Sequence, residues 1–312
     1  IAAHLKGSEI DGLRRNIKSP LTISLFPAKE VEEVDVTLIN YPWDLILRNS
    51  VQIELDFEDN LKGQIEGKIY DGAVLLNQDN VHVGEGTEIK PGAVLDAENG
   101  PIFIGKNVKV FSNAVIEGPV YIGDGSMIKV CARIYEGTSI GEVCKVGGEV
   151  EESIIHSYSN KQHDGFIGHS YIGKWVNIGA DTNNSDLKNN YASVKVPING
   201  DPVDSGSIFV GLIMGDHTKT GINTMFNTGT VVGVSCNIYG GGFPPKFIPS
   251  FSWGGSGGFQ EYLFDKAVET AKRVMQRRKL ILSQDERDML KEVFQFTSLL
   301  RNDFLEKFSR RT

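Results

Sequence analysis

The chain has 312 residues, 40% hydrophobic and 23% charged, enough for one large domain with appendages or for two domains. A net charge of −8 argues against nucleic acid as a partner, and no apolar run approaches the ~18 residues of a membrane span. Three scattered cysteines, Cys131, Cys144 and Cys236, form no disulfide or zinc framework, and with no signal leader at its start the chain reads as cytoplasmic.

Residues 1–60 read as a short α/β remnant of a nucleotidyltransferase-like domain. Val34-Asp35-Val36-Thr37-Leu38-Ile39 predicts a strand. Pro42-Trp43-Asp44, followed by Leu45, Ile46, Val51, Ile53 and Leu55, predicts a helix with proline in its first turn. The chain opens on Ile1 without a methionine, which leaves room for an upstream portion.

Residues 61–258 carry a different signal. Val83, Ile89 and Leu95 keep a six-residue interval, Asn99-Gly100-Pro101 slips it by half a period, and a strict run follows. Ile104, Val110, Ile116, Ile122, Ile128, Ile134, Ile140 and Val146 are all aliphatic. Four places after each stands a small or β-branched residue, Val108, Ala114, Val120, Ser126, Ala132, Thr138, Cys144 and Val150. A helix repeats every ~3.6 residues and a half-buried strand every two, so neither produces this pattern. A hexapeptide period predicts a parallel β-helix with three hexads to each triangular coil. Ile116 should then stack on Ile134, and the 35 glycines suit a fold that turns every few residues.

After Val146 the phase breaks and resumes at Ile172 and Ile178, an interval that is not a whole number of hexads and that reads as an insertion. A second break spans about Asn183 to Ser205, and the beat returns at Val210, Ile222 and Val234, with Asp216 and Thr228 in the slots between. Inward polar groups at those two slots need hydrogen bonds, as a polar ladder or a functional feature, and Asn223 and Asn227 lie near them. Insertions that preserve a flanking beat emerge as loops, often on a binding side.

Gly240-Gly241-Gly242-Phe243-Pro244-Pro245 closes the repeats, and the stretch through Phe251, Trp253 and Gly258 predicts irregular chain. Residues 259–312 predict a helical tail, with a capping box at Ser283-Gln284-Asp285-Glu286 opening a second helix. Its apolar side, Met289, Leu290, Val293, Phe294, Leu300, Phe304 and Phe308, must cover an open end of the solenoid or another subunit. The basic run Lys272-Arg273 and Arg277-Arg278-Lys279 reads first as a solvated helix face, with the phosphates of a coenzyme A as the other possibility.

The segment KQHDGFIGHSYIGKWVNIGADT, Lys161 to Thr182, holds a His, an aromatic three places on, an Ile-Gly pair and the run Val176-Asn177-Ile178-Gly179-Ala180. These residues resemble the acetyltransferase half of the bifunctional N-acetylglucosamine-1-phosphate uridyltransferase/glucosamine-1-phosphate acetyltransferase family, in a divergent branch whose nucleotidyltransferase part is largely absent here. The resemblance is clearest from Gly137 to Gly211. It implies a left-handed parallel β-helix that acts as a homotrimer and moves acetyl from acetyl-CoA to the amine of an amino-sugar phosphate, most simply glucosamine 1-phosphate. That reaction serves UDP-N-acetylglucosamine or related cell-envelope sugar-nucleotide synthesis. The family's catalytic His falls on His163 and a sugar- or acetyl-binding Asn on Asn177. The family's sugar-phosphate Tyr is Phe166, without the hydroxyl. Its phosphate-binding Arg falls near Tyr135, with Arg133 two places away, and a following Lys falls near Glu151, a sign reversal. A second Lys has Lys188 and Lys195 as candidates. The acetyl-CoA contacts fall on Ala180, Asp186, Leu212 and Thr228. Magnesium enters only if an upstream nucleotidyltransferase part exists.

The chemistry asks for a residue of this type, because an amine attacks a thioester as the free base and a group of near-neutral pKa must take its proton. A lone loop His can equally be a surface residue. His156, His163, His169 and His217 could also suggest a shared metal site, but the six-residue gap from His163 to His169 sets them on successive sides, and no metal is expected. Two other readings stay open. One is nucleotidyl transfer with the repeats serving only assembly, against which stands the missing glycine-rich phosphate loop in residues 1–60. The other is a trimeric scaffold without catalysis.

Overall fold

A computed structural model describes residues 36–57 and 61–309. The chain divides into a unit Ile1–Leu38, of which only Val36, Thr37 and Leu38 are described, and a unit Ile39–Thr312. Val36–Ile39 are exposed and form no strand, and Val34 and Asp35 of the expected strand lie outside the described residues. The rest of this section concerns the second unit.

The six-residue beat builds a parallel β-helix with three faces. On the first face Val83, Ile104, Ile122, Ile140, Ile155, Ile172, Met214, Val232 and Ile248 stack in one inward column. The second face stacks Ile89, Val110, Ile128, Val146 and Lys161, and the third Leu95, Ile116, Ile134, Val150 and Ile167. Ile116 pairs with Ile134, as a coil of three hexads requires. Every aliphatic residue of the strict run is 0% exposed, and each such side chain stabilises the fold by roughly 1.5–3 kcal/mol. A left-handed backbone recurs at the corners, on Asn107, Asn113, Gly125, Cys131, Gly137 and Val143. Asn and Gly suit that conformation, and Val143 at φ +57° does not. Cys144 is packed in the core, and burial pushes its thiol up to about 12.

Two phase breaks have opposite causes. The first is a contraction. Ile140 pairs with Ile155 and Val146 with Lys161, so the coil there falls short of three hexads, and it is still short where Val150 pairs with Ile167. The stretch from Val146 to Ile172 passes through Val150, Ile155, Lys161 and Ile167 as successive inward positions, and no loop leaves the solenoid there. The second is a true insertion. Ile172 pairs with Met214, far more than one coil further along the chain, and the excess forms a hairpin of Lys195–Ile198 with Asp201–Asp204. Beyond it the inward positions are Met214, Thr220, Phe226, Val232 and Ile238. Ile222 is therefore 69% exposed at a corner. Asp216 is also a corner residue and accepts from the Lys174 N–H at 2.7 Å, while Thr228 is buried with its hydroxyl 3.0 Å from that of Ser185. Asn223 takes a left-handed corner at φ +54°, a structural use of asparagine.

Helix α1, Pro42–Asp56, starts where proline indicated, with the Asp44 carboxylate accepting from the N–H groups of Asn40 and Tyr41. It lies on the outside of the first face. Asn49 donates to the Gly137 carbonyl and accepts from Ser139, while Trp43 packs with Val194 and Val196 of the inserted hairpin. The glycine-rich stretch is more regular than expected. Phe247–Ile248 and Ser252–Gly255 extend the first and second faces, and Gly258–Glu261 returns antiparallel. The tail becomes helical at Phe264 rather than Phe259, as α2 (Phe264–Gln276), α3 (Gln284–Phe296) and α4 (Ser298–Phe308). The Ser283–Glu286 capping box opens α3. Phe304 on α4 meets Phe259 edge-on at 5.0 Å and joins the solenoid core, which stops the open end. Met289 stays 56% exposed, so the expected apolar side is only partly used. No helix among the described residues is long and apolar enough to cross a membrane.

Candidate active site

His163 sits at the edge between the second and third faces. Asn160–Lys161 ends one face, and Phe166–Gly168 begins the next. Lys161 occupies an inward slot, in register with Val146. Its ammonium is enclosed in the solenoid and donates to the carbonyls of Gly147 at 2.8 Å and of His163 at 3.0 Å. A side chain at Gly148 would strike both that ammonium and the His163 carbonyl, and φ there is +69°, so glycine is required. The main chain at His163 is thus fixed from inside while its ring is exposed. Burial lowers the Lys161 pKa to about 8, with Asp164 opposing the shift.

The ring lies in a cleft of about 320 Å³ lined by Lys129, Gln162, Asp164, Ala180 and Asp181 among others. Ala180 therefore lines the same cleft as His163. Phe166 follows on the third face, in a row with Arg133 and Glu149, and its N–H donates to the Asn183 side chain at 2.8 Å. Arg133 is held by Glu149 at 3.0 Å, and Tyr135 follows directly after the same strand. Asn177 is exposed on the second face, between Asn160 and Lys219, and lines a second groove of about 420 Å³. Gln162 borders both spaces.

The other expected positions lie apart from this cleft. Asp186 pairs with His169, Oδ2 to Nδ1 at 2.9 Å, and the His169 ring stacks on Phe209 at 4.9 Å. The Lys188 ammonium donates to the Ser193 carbonyl, and Lys195 is on the exposed hairpin. Leu212 is 0% exposed, so its side chain can reach no ligand, and Thr228 is buried against Ser185. Glu151, where the resemblance places a lysine, has its carboxyl pKa raised by burial. His156 meets Tyr171, and His217 stacks toward Trp175, so the four histidines are dispersed. Among the described residues no three His, Cys, Asp or Glu side chains gather for a metal ion.

Sequence reasoning missed Lys161, because a charged residue reads as outward-facing. It also missed Lys219, whose ammonium donates to the carbonyls of Trp175 and His217 at 3.0 and 2.7 Å. The basic run is not simply solvated either, since Arg278 donates to the Asn160 side chain at 2.9 Å.

Fold and repeat define a hexapeptide-repeat protein, and a family model described as bacterial transferase hexapeptide (six repeats) matches residues 101–136. Within that class the chain is similar to part of bifunctional nucleotidylyltransferase/acetyltransferases. It is 32% identical over 205 residues to the bifunctional sugar-1-phosphate nucleotidylyltransferase/acetyltransferase of Sulfurisphaera tokodaii, covering 65% of this chain and 44% of that one. It is 27% identical to the bifunctional protein GlmU of Bartonella quintana over 70% of this chain and 46% of that one. The GlmU of Methanococcus aeolicus is 34% identical over 62% and 41% of the two chains. The chain thus spans less than half the length of these relatives.

Proposed function

We propose that the protein is an acyltransferase that moves acetyl from acetyl-CoA to the amine of an amino-sugar phosphate, with glucosamine 1-phosphate as the first acceptor to test. The observation that carries this reading is the placement of His163, an exposed imidazole on a main-chain corner fixed from the core by Lys161, in a cleft beside Ala180. His163 serves as general base. The acceptor nitrogen forms its bond to the thioester carbonyl carbon and gives a proton to the imidazole. The carbon–sulfur bond then breaks, and the proton passes from the imidazole to the departing thiolate of CoA. Asn177, on the adjoining face, orients a sugar or acetyl oxygen but cannot take a proton at neutral pH. Phe166 offers an apolar wall where a hydroxyl would bind phosphate, which shifts acceptor preference. The assembly that goes with this reading is a cytoplasmic homotrimer with neighbouring solenoids flanking each cleft.

The test is an acceptor screen that follows free CoA thiol with amino-sugar phosphates, amino sugars and sugar nucleotides. Thiol release with an amino-sugar phosphate is expected. No release with any amine, together with no acetyl-CoA binding by calorimetry, overturns the proposal.

A further inference from the structure

The second groove is a separate construction. It lies between the outer side of the second face and the C-terminal half of α2, encloses about 420 Å³, and holds four cationic side chains, Lys145, Lys219, Arg277 and Arg278. Among the described residues no carboxylate lines it, although the chain as a whole carries a net charge of −8. Among the described residues none of the four cations is in an ion pair. Arg277 and Arg278 crowd Lys145 instead. The Lys145 pKa is lowered by burial and then by the positive charges of Arg278, Lys129 and Arg277. Four cations gathered without a counter-charge cost free energy in the empty protein, and an anion in the groove relieves that cost. Trp175 forms an indole wall of the same groove, stacked on Tyr158 at 4.3 Å. At Gln162 the groove adjoins the His163 cleft.

We propose that this groove binds the phosphoryl groups of a ligand whose reactive end lies in the His163 cleft, with Arg277 and Arg278, in the turn that follows α2, supplying its guanidinium groups. The inference rests on the acyl-transfer reading only for what the reactive end is. Phosphate recognition by paired guanidinium and ammonium groups needs no further assumption. Two sources carry this chemistry, the phosphates of the acyl donor and the phosphate of the sugar acceptor.

Inorganic pyrophosphate is the direct probe, titrated calorimetrically into the full chain at low and at physiological salt. Saturable binding that weakens at least tenfold in the Arg277→Gln/Arg278→Gln double variant is expected, with Lys272→Gln, on the exposed side of α2, leaving it unchanged. Arg277→Gln alone, at an exposed position, serves if the double variant melts early, and a threefold or greater loss is expected there. CoA against pantetheine, and glucosamine 1-phosphate against glucosamine, then identify the source by which phosphorylated member loses affinity in the double variant. Absence of pyrophosphate binding, or equal loss in Lys272→Gln, overturns the proposal. Pyrophosphate binding without thiol release from any acceptor keeps the groove and removes acetyl transfer. Thiol release with an unchanged KM for every phosphorylated substrate in the double variant does the reverse.

Discussion

Lys161→Met is the sharpest test of the architecture around His163. Methionine is unbranched and of similar length, so it fills the inward slot without the charge. The fall of the Lys161 pKa from 10.5 to about 8 means that holding the ammonium in the folded state costs about 3 kcal/mol at neutral pH. That net cost already includes the hydrogen bonds to the Gly147 and His163 carbonyls, so at pH 7 the methionine variant should keep the wild-type stability or exceed it by up to about 3 kcal/mol. The sign with pH is firmer. Between pH 8 and 10.5 the unfolded chain binds a proton that the folded chain has lost, so wild-type stability rises through that window. Below pH 8 the cost is fully present. The stability gap, wild type minus Lys161→Met, should therefore rise by up to about 3 kcal/mol from pH 7 to pH 10.5, with Lys219 cancelling because both proteins retain it. Urea unfolding at four pH values measures it. A gap that stays constant across the series refutes the picture of a charged lysine enclosed in the solenoid.

His163→Ala should lower turnover by about a hundredfold to ten-thousandfold with little change in melting temperature. His156→Ala is the matched control, whereas His169 is tied to Asp186 and is not. Phe166→Tyr should improve use of a sugar phosphate, read as a lower KM for the phosphorylated acceptor than for the plain amino sugar. Val143→Asn should raise stability by about 1 kcal/mol in thermal unfolding, since asparagine tolerates the left-handed corner better than a β-branched residue. His217 is half-buried with its Nδ1 enclosed and its pKa pushed down to about 3, so folding stability should fall as pH drops from 6.5 towards 3. His217→Asn, compatible with φ +60°, should flatten that fall, and an unchanged acid slope would show that His217 is not its source.

The run from Ile104 to Val146 was legible because every inward slot is aliphatic and every coil is three full hexads. The breaks were not, because counting modulo six cannot distinguish residues added from residues removed. Stacking demands only that inward side chains stay in line, and corners can lose residues without breaking the column. Thr220 takes an aliphatic slot while Ile222 stands exposed at a corner, which shifted the apparent beat. Within the site, His163 and Ala180 were found together because their motif occupies consecutive coils. Leu212 and Thr228 were placed by resemblance alone, and the fold encloses both. The Lys219 groove needed tertiary information, since Thr270, Val274, Arg277 and Arg278 come from α2 and the turn after it, which begin only after the repeats have ended.

A three-sided prism can in principle be flanked on any of its sides. Here α1 and the inserted hairpin are laid along the first side, and the turn after α2 closes over part of the second, where Arg278 meets Asn160. The chain has upholstered two of its own walls, and among the described residues the third side, with Arg133, Glu149 and Phe166, is the one left for a neighbouring copy of the proposed assembly. That wall borders the His163 corner directly. Packing decided inside one chain thereby dictates which edge of the prism can be shared, and it is the edge where the imidazole stands.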